Sequence, residues 1–264
     1  MIFSNYHTHT LFCDGKNTPE EIVIRAIELG CEKIGFSGHA YTHYDESYCM
    51  SQENTLLYKK AIGELKEKYK GKIEILLGVE QDYYSDEPTD DYDYIIGSVH
   101  YLFKDGVYLP VDESKELQID AVNNHYDGDF YAYVEDYYST VANLYAKTKC
   151  DIIGHIDLVT KFNEGNALFD TSHERYQNAM QSAVKSLSSA PVIFEVNTGA
   201  MSRGYKSEPF PSDDVLKEIK KYNKEIILTS DCHAKENLLY GFNEQWERLQ
   251  KSGNCVTLDI NIDR

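Results

Sequence analysis

No apolar stretch in this chain approaches the roughly 18 residues that a membrane-spanning helix needs. No charged-then-apolar leader precedes the first apolar run, so the N-terminus is expected to belong to the fold. There is no Cys-x-x-Cys pair. The six cysteines (Cys13, Cys31, Cys49, Cys150, Cys232, Cys255) are scattered, which argues for reduced thiols over a disulfide framework. The expected location is the cytoplasm, away from any membrane. Positive charge is scarce as well: 26 Lys and Arg face 44 Asp and Glu, a formal net charge of -18. A nucleic-acid binder would need a basic face, so no nucleic-acid partner is expected. A small phosphorylated molecule stays possible, because bound metal ions reverse the local sign. Neither a Ser/Gly linker nor a low-complexity tract divides the chain, so residues 1–264 read as one domain. At 42% hydrophobic residues, a chain of this length can fill a core.

Seven apolar runs are present, and most deliver a metal-ligand residue type at or just past their C-terminal edge. The run from Ile2 to Tyr6 leads into His7 and His9, and that from Ile34 into His39. The run from Ile75 to Val79 leads into Glu80, and Ile95 to Val99 into His100. Ile152-Ile153-Gly154 leads into His155 and Asp157, and Ile226 to Ser230 into Asp231 and His233. The sixth run, Val192–Val196, carries Glu195 within it.

Helical segments follow the strands. Thr18, Pro19 and Glu21 form a capping box before a helix that stops at Gly30. Further helices are expected over 52–69, over 130–147, from a Thr171/Glu174 capping box to Leu187, from the Ser212 cap to Tyr222, and over 235–251. Residues 254–262 suggest a short last strand. The 101–129 stretch is polar, acidic and too long for a plain connection. An open doubly wound sheet gathers ligands at one switch point. Here they come from nearly every strand, and they converge only if the sheet curls into a barrel.

His7-Thr8-His9 places two imidazoles on one side of a strand, within reach of one cation. Asp231-Cys232-His233 repeats that spacing at the end of the last run. A carboxylate directly after a buried apolar run, as at Glu80, is costly unless it is paired or metal-bound. Six of the nine histidines fall at strand ends, a joint placement that points to a multinuclear metal site. His43 follows one strand and is a candidate to reach the pocket. Arg203 lies in a strand-end loop, and its guanidinium suits a phosphate. Lys161 is a second candidate anion contact. Glu195 reads as a partner of a ligand, a contact for a substrate amine, or a buried structural carboxylate.

With these pieces assembled, the chain resembles the PHP (polymerase and histidinol phosphatase) family. The resemblance rests on His7-Thr8-His9, Asp14, Ser37-Gly38-His39, Gly78-Val79-Glu80, Gly97-Ser98-Val99-His100, Gly154-His155-Ile156-Asp157, Glu195-Val196-Asn197-Thr198 and Ser230-Asp231-Cys232-His233, in family order. It implies a distorted (β/α)7 TIM-like barrel and three divalent metal ions (zinc, iron or manganese). His7, His9, Glu80 and Asp231 would hold one, Glu80 with His100 and His155 a second, and Asp14, His39 and His233 the third. Some relatives carry a His where this chain has Asp14, and an oxygen donor there favours iron or manganese. The whole-chain length and the Phe194–Arg203 stretch resemble the monofunctional phosphatase branch. That implies a small-molecule phosphate monoester, histidinol phosphate, as substrate, attacked at phosphorus by a metal-bridging hydroxide. Arg203 would bind the phosphate, and the leaving oxygen would be stabilised by a metal or protonated by Asp231 or a bound water.

Overall fold

A computed structural model describes residues 3–260. Its framework is a curled, wholly parallel sheet. The strands are β1 (Lys33–Phe36), β2 (Glu74–Asp82), β3 (Tyr94–Ser98), β6 (Ile152–Ile153), β7 (Ile193–Asn197), β8 (Glu225–Thr229) and β9 (Cys255–Thr257), neighbours in that order. The two strands outside the sheet, β4 (Tyr101–Lys104) and β5 (Val107–Pro110), pair antiparallel as a separate hairpin.

The N-terminal segment spans the seam of the curl. It bridges β1 through Asn5 and Ile34, and meets the end of β8 through Thr8 and Cys232. The backbone amides of Gly35 and Ser37 donate to Asn5 and Thr8 on one side, and those of His9 and Cys232 bond across the other. The segment therefore does a strand's work, although its hydrogen bonds form isolated bridges and not a ladder. Its expected first residue, Ile2, lies outside the described residues. Inside the curl, Tyr6, Tyr94, Ile96, Ile152 and Ile227 pack as one cluster. The Tyr94 phenol donates to the carbonyls of Tyr6 and Phe36, tying β3 to the N-terminal segment and β1.

The helices lie outside the sheet. In α1 (Pro19–Glu28), the Thr18 hydroxyl accepts from the Glu21 amide and the Glu21 carboxylate accepts from the Thr18 amide. This is the expected capping box. Next come α2 (Gln52–Lys68), α3 (Lys115–His125), α4 (Phe130–Ala142) and α5 (Leu144–Thr148). The helix expected over 130–147 is thus two, broken at Asn143, whose side chain bonds back to the Ser139 carbonyl. In α6 (Glu174–Ser188) the N-cap is His173, which accepts from the Arg175 amide. The Thr171 box does not form, because that hydroxyl donates to Asn166. A short α7 (Gly199–Ser202) and α8 (Asp213–Lys221) follow. The last expected helix starts late, as α9 (Phe242–Ser252), because Gly241 takes a left-handed φ of 71° that interrupts it. The final strand is shorter than expected, 255–257, and residues 261 and 262 of that expectation lie outside the described residues.

The acidic 101–129 stretch is folded as the β4–β5 hairpin and α3, and is not a long loop. No helix among the described residues is long and apolar enough to cross a membrane.

Candidate metal centre

The parallel strands all end on one side, and the curl brings their ends together. Glu80 sits at the centre, 1% exposed near the end of β2. Its Oε1 accepts from the Ser98 hydroxyl (2.6 Å) and faces His155 Nε2 (3.0 Å) and His100 Nε2 (3.3 Å). Its Oε2 faces His39 Nδ1 (2.9 Å), His7 Nε2 (3.2 Å) and His9 Nε2 (3.5 Å). Five imidazoles, two from the N-terminal segment and one each from beyond β1, β3 and β6, thus surround one carboxylate.

Asp231 closes another side. Its Oδ1 lies 3.1 Å from His9 Nε2 and 3.6 Å from His7 Nε2, while Oδ2 accepts from Arg203 Nη2 at 3.0 Å. Its backbone is left-handed (φ 44°), a conformation uncommon outside glycine and concentrated at functional sites. Gly199 makes room for it, since a Cβ there would lie 2.8 Å from Asp231 Oδ2. Asp14 reaches His233 Nε2 at 3.0 Å and lies 3.6 and 3.7 Å from His9 and His39.

Burial opposes charge on Glu80, yet the imidazoles of His39, His7 and His100 hold its carboxyl well below the usual range. Burial likewise opposes charge on Asp231, and Arg203 and His7 outweigh it. The His9 ring is pushed down to about 3 by burial and by its neighbours His233 and His39. His7 goes the other way: burial disfavours its charge, but Glu195, Glu80 and Asp231 raise it well above the ordinary value.

Glu195 is buried beneath the centre and does not line the cavity. Its Oε2 meets His7 Nδ1 (2.9 Å) and accepts from Thr229 (2.8 Å). Its Oε1 accepts from the His155 amide (2.6 Å) and the Asn197 amide group (2.9 Å). Of its three readings the geometry matches a carboxylate that orients a ligand, leaving His7 Nε2 facing Glu80 and Asp231.

The donor set fits metal ions. His7 Nε2, His9 Nε2, Glu80 Oε2, His100 Nδ1 and His155 Nδ1 are buried without a hydrogen-bond partner. Leaving such atoms unsatisfied costs about 1–3 kcal/mol each. Cations in this cluster would engage several of them, and mixed imidazole and carboxylate donors suit zinc, iron or manganese. Four groups have ligand atoms within 4.8 Å of one another: His9-Asp14-His39-His233, His7-His9-Asp231, His7-Glu80-His155 and His39-Glu80-His100. Asp14, His39 and His233 come together as the sequence suggests, with His9 added. The set of Glu80, His100 and His155 is divided between two groups, one with His7 and one with His39, although Glu80 Oε1 faces both His100 and His155.

Above the cluster lies a cavity of about 310 Å³, lined by Asp14, His39, Glu80, His100, His155, Asp231 and His233 among others. Its volume is at the lower end of the ~300–1,000 Å³ usual for small-molecule sites. Arg203 and Lys161 are the Lys or Arg side chains that line it among the described residues. Arg203 Nη1 donates to the Asp231 carbonyl (2.9 Å), and Lys161 Nζ is held by Asp112 (3.0 Å). Asp45, Tyr48, Tyr101 and Glu113 complete an acidic and aromatic wall. Tyr101 and Glu113 come from the acidic 101–129 stretch, whereas no spacing pattern singles out Asp45 and Tyr48, which lie on a loop. His43 does not line the cavity. It is exposed, and its ring packs edge-on against Tyr44 and Tyr108.

Fold and site together define a curled parallel barrel with a cluster of metal-binding side chains at the C-terminal ends of its strands. The model of the PHP domain matches residues 5–199, and the chain belongs to that family. It is 30% identical to the histidinol-phosphatase of Bacillus subtilis, over 92% of this chain and 97% of that one. A solved structure from Listeria monocytogenes covers 91% of this chain and 99% of its own at 21% identity, with a TM-score of 0.75. The histidinol phosphate phosphatase of Lactococcus lactis, solved with zinc, L-histidinol and phosphate, is 18% identical over 98% of both chains, with a TM-score of 0.71.

Proposed function

We propose that this protein is a metal-dependent phosphomonoesterase that hydrolyses histidinol phosphate to histidinol and phosphate. The observation that carries the reading is the Glu80-centred cluster on the floor of a small-molecule cavity, in a chain 30% identical to a histidinol-phosphatase over nearly its whole length.

Three divalent ions, zinc, iron or manganese, would be held by His7, His9, Asp14, His39, Glu80, His100, His155, Asp231 and His233. When bound they supply Lewis-acid polarisation of phosphoryl oxygens and make water more acidic. The chain does the rest. Glu80 presents both oxygens to the cluster and is the shared ligand. Glu195 fixes the tautomer and tilt of His7. Arg203 holds Asp231 through Nη2 and borders the cavity, so its remaining N–H groups are available to a phosphate oxygen. Lys161 adds a second positive charge on the same wall, tethered by Asp112. The departing alkoxide would be stabilised by a bound ion or protonated by a water, and Asp231, kept ionised by Arg203 and His7, would orient that water. The substrate carries a cationic amine as well as a phosphate, and the carboxylates of Asp45 and Glu113 share the cavity with Arg203 and Lys161, so both polarities are present. All six cysteines are free, in keeping with work in the cytoplasm.

The test is phosphate release from histidinol phosphate, other small phosphate monoesters and a single-stranded oligonucleotide, with metal analysis of the same sample. Strong preference for histidinol phosphate is expected. Comparable turnover of many phosphoesters, or cleavage of the oligonucleotide, would overturn the assignment.

A further inference from the structure

Asp82 stands two residues after Glu80 on the same strand, so both side chains leave the same face of β2. It is 2% exposed and does not line the cavity. Its Oδ2 accepts from the His100 backbone amide at 2.9 Å and lies 3.4 Å from His100 Nδ1. Its Oδ1 accepts from the Tyr84 amide at 2.8 Å and from the Tyr44 phenol at 2.5 Å.

His100 Nε2 faces Glu80 Oε1, while its Nδ1 is buried and has no hydrogen-bond partner. A neutral imidazole that binds a cation through one nitrogen carries a proton on the other and needs an acceptor for it. Asp82 Oδ2 is the carboxylate oxygen beside that nitrogen. The arrangement repeats that of His7, whose Nδ1 meets the buried Glu195. It differs in one respect: Asp82 is also bonded to the loop that borders the cavity. Tyr44 stacks on Tyr108 of the hairpin, with centroids 4.0 Å apart and planes at 15°. Tyr48 of the same loop packs edge-on against His39 and His100.

We propose that Asp82 is a positioning residue of the metal centre, which accepts from His100 Nδ1 so that Nε2 is presented to the ion shared with Glu80, and which Tyr44 holds in place. The inference rests on the metal-centre reading above. If the unaltered protein bound no divalent ion, that reading would fail. If it bound ions and the variants below matched it, only the role of Asp82 would fail.

The experiment compares the unaltered protein with Asp82→Asn, Asp82→Glu and Tyr44→Phe. Each is loaded with zinc, and the rate and stoichiometry of zinc loss to a chelator are measured beside the thermal unfolding of the metal-free form. In Asp82→Asn one class of ion should weaken by about 10–100-fold, the other ions should hold as before, and Asp82→Glu should recover part of the loss. A purely structural role predicts a different result. It would lower the unfolding temperature of the metal-free form and leave zinc retention unchanged, and that outcome overturns the proposal. Should Asp82→Asn fail to fold, Tyr44→Phe decides, because Asp82 there keeps both backbone hydrogen bonds. Faster zinc loss from one class of site supports the proposal, and zinc loss identical to that of the unaltered protein overturns it.

Discussion

Glu80 accepts from Ser98 on one oxygen and faces His39, His7 and His9 with the other, so no single ring accounts for its burial. Replacing it with Gln removes the charge and keeps the shape. Glu80→Gln should lose bound metal and more than about 100-fold of its phosphatase activity, as read by metal analysis and phosphate release. Retention of both would remove Glu80 from its shared position. Arg203 makes a different prediction. Its guanidinium lines the cavity and is bonded to Asp231, so Arg203→Ala should lower kcat/KM for histidinol phosphate by about 10²–10³-fold while most metal is retained. Unchanged kcat and KM would take it out of phosphate binding. At this scale the sequence was informative where strand ends supply ligand types. It was uninformative for His43, whose ring turns outward onto Tyr44 and Tyr108, because no spacing rule fixes the direction of a loop side chain. Asp82 carried a legible signal, its i+2 relation to Glu80, but only its contact with His100 gives that signal meaning.

Single elements behaved according to how local their causes are. The capping box of α1 depends on four consecutive residues and formed as read. The Thr171 box had the same pattern and did not form, since Asn166 took the hydroxyl and His173 took the cap. The 101–129 stretch folds as a hairpin and a helix because Leu102, Leu109, Val111 and Val122 join the core, contacts that its polar composition conceals. Strand β2 illustrates a constraint between elements. A Cβ at position 78 would overlap the Tyr94 ring, whose hydroxyl ties β3 to the N-terminal segment and β1. Gly78→Ala should therefore destabilise the fold by about 1–3 kcal/mol, measured by urea unfolding. A change within experimental error would show that the Tyr94 ring has room to move.

Across the whole molecule, nine donor side chains and three further buried carboxylates (Asp82, Asp157, Glu195) are held in or near one end of the barrel. Folding gathers these groups at a desolvation cost that bound cations would offset. Exhaustive chelation should abolish phosphatase activity and lower the unfolding temperature, and added zinc or manganese should restore both. An ion at 100 times its dissociation constant stabilises by about 2.7 kcal/mol, or roughly 2–4 °C per kcal/mol in a chain of this size. A melting temperature indifferent to chelator and added ions would contradict a centre built from these residues.

The sequence by itself determined the repeating strand–helix order, the residue types at the strand ends and, through their spread over nearly every strand, the need for a curled sheet. These follow from short-range periodicity and from the cost of burying an unpaired carboxylate, and both can be read along the chain. Only the tertiary structure decided how the nine donors group and that Glu195 lies beneath His7. It also decided that Asp82 reaches His100 and that acidic and aromatic side chains line the same cavity as Arg203 and Lys161. Those relations join residues far apart in the chain, and their distances depend on the curl of the sheet and on the loops above it, which no local pattern encodes.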